Sequence, residues 1–107
     1  MPKRKPQPDD FRDFILEQLS PLEGLSCRRM FGAHGLYLND TFFAILHAGR
    51  LYLKVHDDTL ADFTSRGSQP FRPTDKQTLK SYYEVPADIL DNAAELQSWS
   101  RRAAGHR

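Results

Sequence analysis

An α+β domain, with helices packed on one face of an antiparallel sheet in two layers, is the fold that this sequence predicts. Three observations carry that expectation. Residues 25–55 are dense in β-branched, aromatic and aliphatic side chains, cut by Gly32, Gly35, Asn39-Asp40 and Ala48-Gly49. The links between these runs are too short for a parallel crossover, which needs about a dozen residues, so neighbouring strands must be antiparallel. Helical periodicity lies outside this block instead of alternating singly with strands, which separates α+β from α/β.

The elements follow in order. Residues 1–8 hold Lys3-Arg4-Lys5 between prolines, with nothing apolar to bury, and read as a flexible basic tail. The remainder, 9–107, reads as one domain, since 107 residues suffice for a single two-layer core. Phe11, Phe14, Ile15, Gln18 and Leu19 recur at helical spacing, with Asp10 as the expected cap and Ser20-Pro21 as the stop. Four strands follow at Leu25–Phe31, Gly35–Leu38, Thr41–His47 and Arg50–Val55. Asp57-Asp58-Thr59 opens a short helix carrying Leu60 and Phe63 inward, with Gly67 as its C-terminal cap. Pro70 and Pro73 confine any strand around Phe71 to an edge, because proline cannot donate to a ladder. Leu79, Ser81, Tyr83 and Val85 alternate with polar neighbours as a half-buried final strand. After Pro86 the pattern is helical, with a second cap expected near Asp91-Asn92.

Composition excludes several classes. Apolar residues are 39% and charged residues 27%, as in an ordinary globular protein. No apolar run is long enough for a bilayer, and the basic N-terminus does not continue into a secretory core, so a cytoplasmic location is expected and no membrane partner. The single cysteine, Cys27, forbids an internal disulfide and suits a reducing compartment. A net charge of +1 argues against a surface that is one large trap for nucleic acid.

No residue set nominates itself for catalysis. His34, His47, His56 and His106 lack ligand spacing, so no metal or other cofactor is expected. Cys27 sits in a strand with no evident base, and Asp57-Asp58 is better explained by a helix start. Gly32-Ala33-His34-Gly35 has the letters of a GxxG nucleic-acid loop, but that loop joins two helices and here strands flank it. Tyr37, Tyr52, Tyr82 and Tyr83 lie on strands, where sheet-border packing accounts for them more simply than base stacking.

The segment "RRMFGAHGLYLND", followed by "RLYLKV", "PF" and "SYYEVP", resembles the N-terminal domain of the TfoX/Sxy family. Its hallmark is a Met-Phe-Gly-Gly-x-Gly-Leu-Tyr-like stretch, from which this chain departs at Ala33. The resemblance runs from the first helix to Trp99 and implies a compact α+β domain. The founding members regulate bacterial competence genes and carry a helical C-terminal domain, whereas this sequence stops at Arg107. The resemblance assigns no catalytic or ligand-binding residue.

The expectation is therefore a non-enzymatic regulatory or adaptor module acting through protein contacts and linked to transcription or competence. Weak, salt-dependent nucleic-acid binding through Arg28, Arg29 and the tail is the alternative reading, and an unrecognised enzyme the third. Arg28, Arg29, Met30, Phe31, Gly32, Gly35, Leu36 and Tyr37 are read as a structural corner, with the glycines permitting the turn and Met30, Phe31 and Leu36 feeding the core. A homodimer through the sheet is expected, with Tyr37, Phe43 or Tyr52 at its centre.

Overall fold

The computed structural model describes residues 8–30 and 32–105. The tail up to residue 7, Phe31 and His106 lie outside the described residues. Helix α1 spans Pro8–Gln18 and precedes four strands, β1 Leu25–Met30, β2 Ala33–Leu38, β3 Thr41–His47 and β4 Arg50–Lys54. Then come α2 Leu60–Thr64, β5 Pro70–Thr74, β6 Gln77–Glu84, α3 Ala87–Leu90 and α4 Ala93–Ala103. The six strands form one antiparallel sheet in the order β1-β2-β3-β4-β6-β5. The α+β architecture is thus the one the sequence predicts.

Tight turns set the meander. Asn39 and Asp40 join β2 to β3 with φ of 51° and 68°, and Ala48 and Gly49 join β3 to β4 with φ of 53° and 73°. Two successive positive φ angles give the turn whose twist matches that of paired strands. One irregularity decides which side chains go where. Leu36 pairs with Ala44 but Tyr37 pairs with Phe42, so Phe43 is an extra residue on β3. That bulge sends Phe43 and Ala44 into the core beneath the helices and leaves Phe42 on the opposite face.

The main core lies between sheet and helices. Ile15 and Leu19 from α1, Phe63 from α2 and Leu96 and Trp99 from α4 meet Leu36, Phe43, Leu51 and Leu53 from the strands. Full burial of each such aliphatic side chain contributes about 1.5–3 kcal/mol before ordering costs. Trp99 sits edge-on to Phe63 at 4.9 Å between ring centroids, with the Arg66 and Arg102 guanidinium carbons 5.5 and 5.8 Å from its own. The ends of the structure are tied together: Gln18 Nε2 donates to the Leu90 carbonyl at 2.8 Å, and Gln97 Nε2 donates to the Gln18 carbonyl at 2.9 Å. The second bond satisfies one of the carbonyls that the end of α1 leaves without a helical partner.

Several local expectations need correction. Asp10 lies inside the first turn of α1 instead of capping it, and Phe14 remains 40% exposed on that helix. Gly67, by contrast, caps α2 as expected: at φ 76° its amide donates to the Thr64 carbonyl, and the Ser68 amide donates to the Phe63 carbonyl, each at 3.1 Å. Leu79 is 41% exposed, on a strand whose pairing with β5 slips in register around Phe71. The predicted break at Asp91-Asn92 is present, with Asn92 Oδ1 accepting from the Glu95 amide at 3.1 Å.

Candidate functional site

The stretch Arg28 to Tyr37 is a hairpin, with Arg28 opposite Gly35, Arg29 opposite His34 and Met30 opposite Ala33. Gly32 supplies the left-handed residue of its turn, at φ 77°. Gly35 does not. It is a strand residue whose missing side chain makes room, since a Cβ there would lie 2.9 Å from Phe42 Cε1 and 3.3 Å from Met30 Cε. The expectation that both glycines serve the turn is corrected accordingly.

Alternation along the strands then parts the motif. Leu36 is fully buried beneath the helices, whereas Met30 packs into a second cluster on the helix-free face with Ala33, Ile45, Tyr52 and Phe71. The two arginines also separate. Arg29 lines an open groove of about 420 Å³ with Arg12, Asp13, Leu16, Cys27 and His34. Arg28 lies on the other face, its guanidinium carbon 4.9 Å from the centre of the Tyr37 ring, and its Nη2 reaches Asp40 Oδ1 at 4.0 Å.

From Tyr37 a row of rings crosses the helix-free face. Tyr37 and Phe42 stand 5.2 Å apart between centroids, and Phe42 and Tyr82 5.5 Å. Beside them Tyr52 contacts Phe71 at 4.7 Å, and Phe71 meets the His47 imidazole at 5.5 Å. Burial pushes the Tyr52 phenol above its ordinary value; Glu84 adds to this and Arg50 opposes it. The Tyr82 phenol is raised likewise, by burial first and by Tyr37 second. Arg50 and Glu84 pair at 2.9 Å on the same side of the sheet. The face therefore offers half-buried rings with neutral phenols and a cation stacked at one end, a composition suited to contact with another macromolecule.

Phe43 is not part of this face: it is fully buried under the helices, which removes it from the expected dimer centre. Tyr52 is on the helix-free face but only 8% exposed, whereas Tyr37, Phe42 and Tyr82 are half-buried there. Sequence reading missed Phe42. The adjacent phenylalanines alternate in principle, but which one turned outward depended on the bulge. Tyr83 points the other way, against Phe63 at 6.2 Å.

The remaining polar groups do not assemble with this face. His56 Nε2 bonds to the Ala103 carbonyl at 3.0 Å and borders a cleft of about 480 Å³ with Thr59, Arg101 and Arg102. Among the described residues no three His, Cys, Asp or Glu side chains stand where they could share a metal ion. Burial raises the Cys27 thiol above its ordinary value, with Arg12 drawing it back in part. No helix among the described residues is long and apolar enough to cross a membrane.

Comparison with known proteins adds two findings. The family model described as TfoX N-terminal domain matches residues 17–106. The DNA transformation protein TfoX1 of Aliivibrio fischeri is 31% identical over 83 residues, covering 69% of this chain and 40% of that protein. The chain thus spans about two-fifths of the length of this relative.

Proposed function

Because the chain belongs to the TfoX N-terminal domain family, we propose that it is a non-catalytic regulatory or adaptor module of DNA transformation that acts through protein contacts in the cytoplasm. The observation that carries the reading is the helix-free sheet face, where Tyr37, Phe42 and Tyr82 form a row with Arg28 at its end. Such rings present large contact areas while ordering few torsions, so little conformational entropy is lost on docking. Self-association through the same rings belongs to this reading.

The test is genetic complementation in the organism that encodes the chain. Transformation frequency should fall when the gene is deleted and return with the wild-type gene, but not with Tyr37→Glu/Tyr82→Glu at equal abundance. A deletion without effect refutes the role in transformation. Full rescue by the double variant refutes the surface.

The second reading is nucleic-acid binding through Arg28, Arg29 and the basic tail, favoured by the cation stacked on Tyr37. At a net charge of +1 it would be weak and steeply salt-dependent. Tight, sequence-selective gel shifts at physiological salt would place it first.

A further inference from the structure

The two edges of the sheet differ. β5 carries Pro70 and Pro73, neither of which has an amide hydrogen to offer a further strand. β1 has none. Its hairpin register, closed by the Met30–Ala33 pair across a two-residue turn, sends the main chains of Ser26, Arg28 and Met30 toward β2. The Asn39 amide bonding to the Gly24 carbonyl at 3.0 Å continues the same alternation. The N–H and C=O groups of Leu25, Cys27 and Arg29 therefore point away from the sheet, and no described residue pairs with them as a strand.

Charge selects what would add to this edge. Arg28 and Arg29 are both exposed and project to opposite faces of the sheet, so an added strand meets a cation on either side. Among the described residues only Asp40, at 4.0 Å and almost fully exposed, forms an ion pair with Arg28, while Asp13 pairs with Arg12 at 3.3 Å. The chain's own tail brings Lys3, Arg4 and Lys5, and a second copy of β1 would crowd four arginines into one seam. Neither is complementary.

We infer that β1 is a docking edge for an extended acidic segment of a partner protein, which adds as a seventh strand through the outward main chain of Leu25, Cys27 and Arg29. Two adjacent acidic residues of that segment reach Arg28 on one face and Arg29 on the other. Main-chain bonds supply the attachment and the two arginines the selectivity. The inference rests on the reading of this chain as a protein-contact module and names the chemistry of one contact.

The experiment uses the full chain and a fluorescein-labelled heptapeptide with two central glutamates flanked by valine and threonine. Three controls accompany it: the same peptide with lysines for glutamates, the same peptide N-methylated at alternate residues so that it cannot pair, and a dT oligonucleotide. At physiological salt, anisotropy should saturate with the glutamate peptide, and amide shifts in NMR spectra should centre on residues 25–29. The lysine peptide, the N-methylated peptide and the chain carrying Arg28→Glu/Arg29→Glu should each bind about tenfold more weakly or worse, with thermal melts showing that the variant is folded. Equal binding by the N-methylated peptide overturns strand addition, and equal binding by the variant overturns the role of the arginines. No saturation overturns the proposal entirely, and an oligonucleotide that shifts the same amides more strongly than the peptide overturns it in favour of nucleic acid. A failure here with complementation intact removes the edge and leaves the regulatory role standing.

Discussion

Gly35→Ala tests whether the open face is a packed arrangement or a loose array of rings. The added carbon would lie 2.9 Å from Phe42 Cε1, whereas carbon atoms rest comfortably at about 3.5–4.0 Å, so the Phe42 ring must retreat by roughly 0.6 Å or more. It has little freedom to do so, with Tyr37 on one side at 5.2 Å and Tyr82 on the other at 5.5 Å. Met30 Cε, at 3.3 Å, belongs to a flexible side chain and can yield. Overpacking of this kind costs about 1–3 kcal/mol, against about 0.5–1 kcal/mol gained by replacing glycine in a strand. A net loss of about 1–2 kcal/mol follows, or about 4–8 °C in melting temperature per kcal/mol for a domain of this size. Urea denaturation followed by Trp99 fluorescence would measure it. With Phe42→Ala as background the clash disappears, and Gly35→Ala should become neutral or mildly stabilising. If Gly35→Ala costs the same in both backgrounds to within about 0.5 kcal/mol, the ring row is not what glycine accommodates, and the argument fails.

The other predictions concern separate sites. Gly32→Val should cost about 1–3 kcal/mol through its left-handed φ alone, independently of Phe42; an unchanged melting temperature would contradict that. Ser100 Oγ is fully buried with no hydrogen-bond partner among the described residues, so Ser100→Ala should be neutral or stabilise by up to about 1 kcal/mol, and a clear loss in chemical denaturation would reveal a bond not seen here. The raised Cys27 thiol favours the neutral form in the folded state, so its contribution is fully present below the ordinary thiol value and is lost as pH climbs through the raised one. Stability should therefore fall from about pH 8.5 upward, before the raised tyrosines begin to add to it, and Cys27→Ser should flatten that part of the curve. An identical pH profile for the variant would refute the assignment.

The strand block, its tight turns and the cap at Asn92 were all legible, because each is written in local terms: alternation, paired turn residues, a side chain that can accept from a nearby amide. Side-chain destinations were less so. Phe42 and Phe43 are chemically alike, and only the two-against-one pairing between Leu36 and Tyr37 decides which turns toward the helices. Gly35 looked like a turn residue beside Gly32 because a sequence shows the absence of a side chain without showing whether backbone or neighbour requires it. The ring row draws Tyr37, Phe42 and Tyr82 from β2, β3 and β6, and no local pattern announces a juxtaposition made by the strand order. Arg28-Arg29 was visible as a pair, but its division between the two faces is a consequence of pairing register.

The bonds from Gln18 to Leu90 and from Gln97 to Gln18 have a temporal consequence as well as a spatial one. During synthesis the apolar floor made by Leu36, Phe43, Leu51 and Leu53 leaves the ribosome well before α4, whose Leu96 and Trp99 complete its cover. The meander can pair early, since its contacts are local, but it stays greasy on one side until the later helix arrives to meet α1. A nascent chain stalled before α4 is thus a ready client for chaperones. The finished domain, by contrast, is latched at the place where its two ends meet.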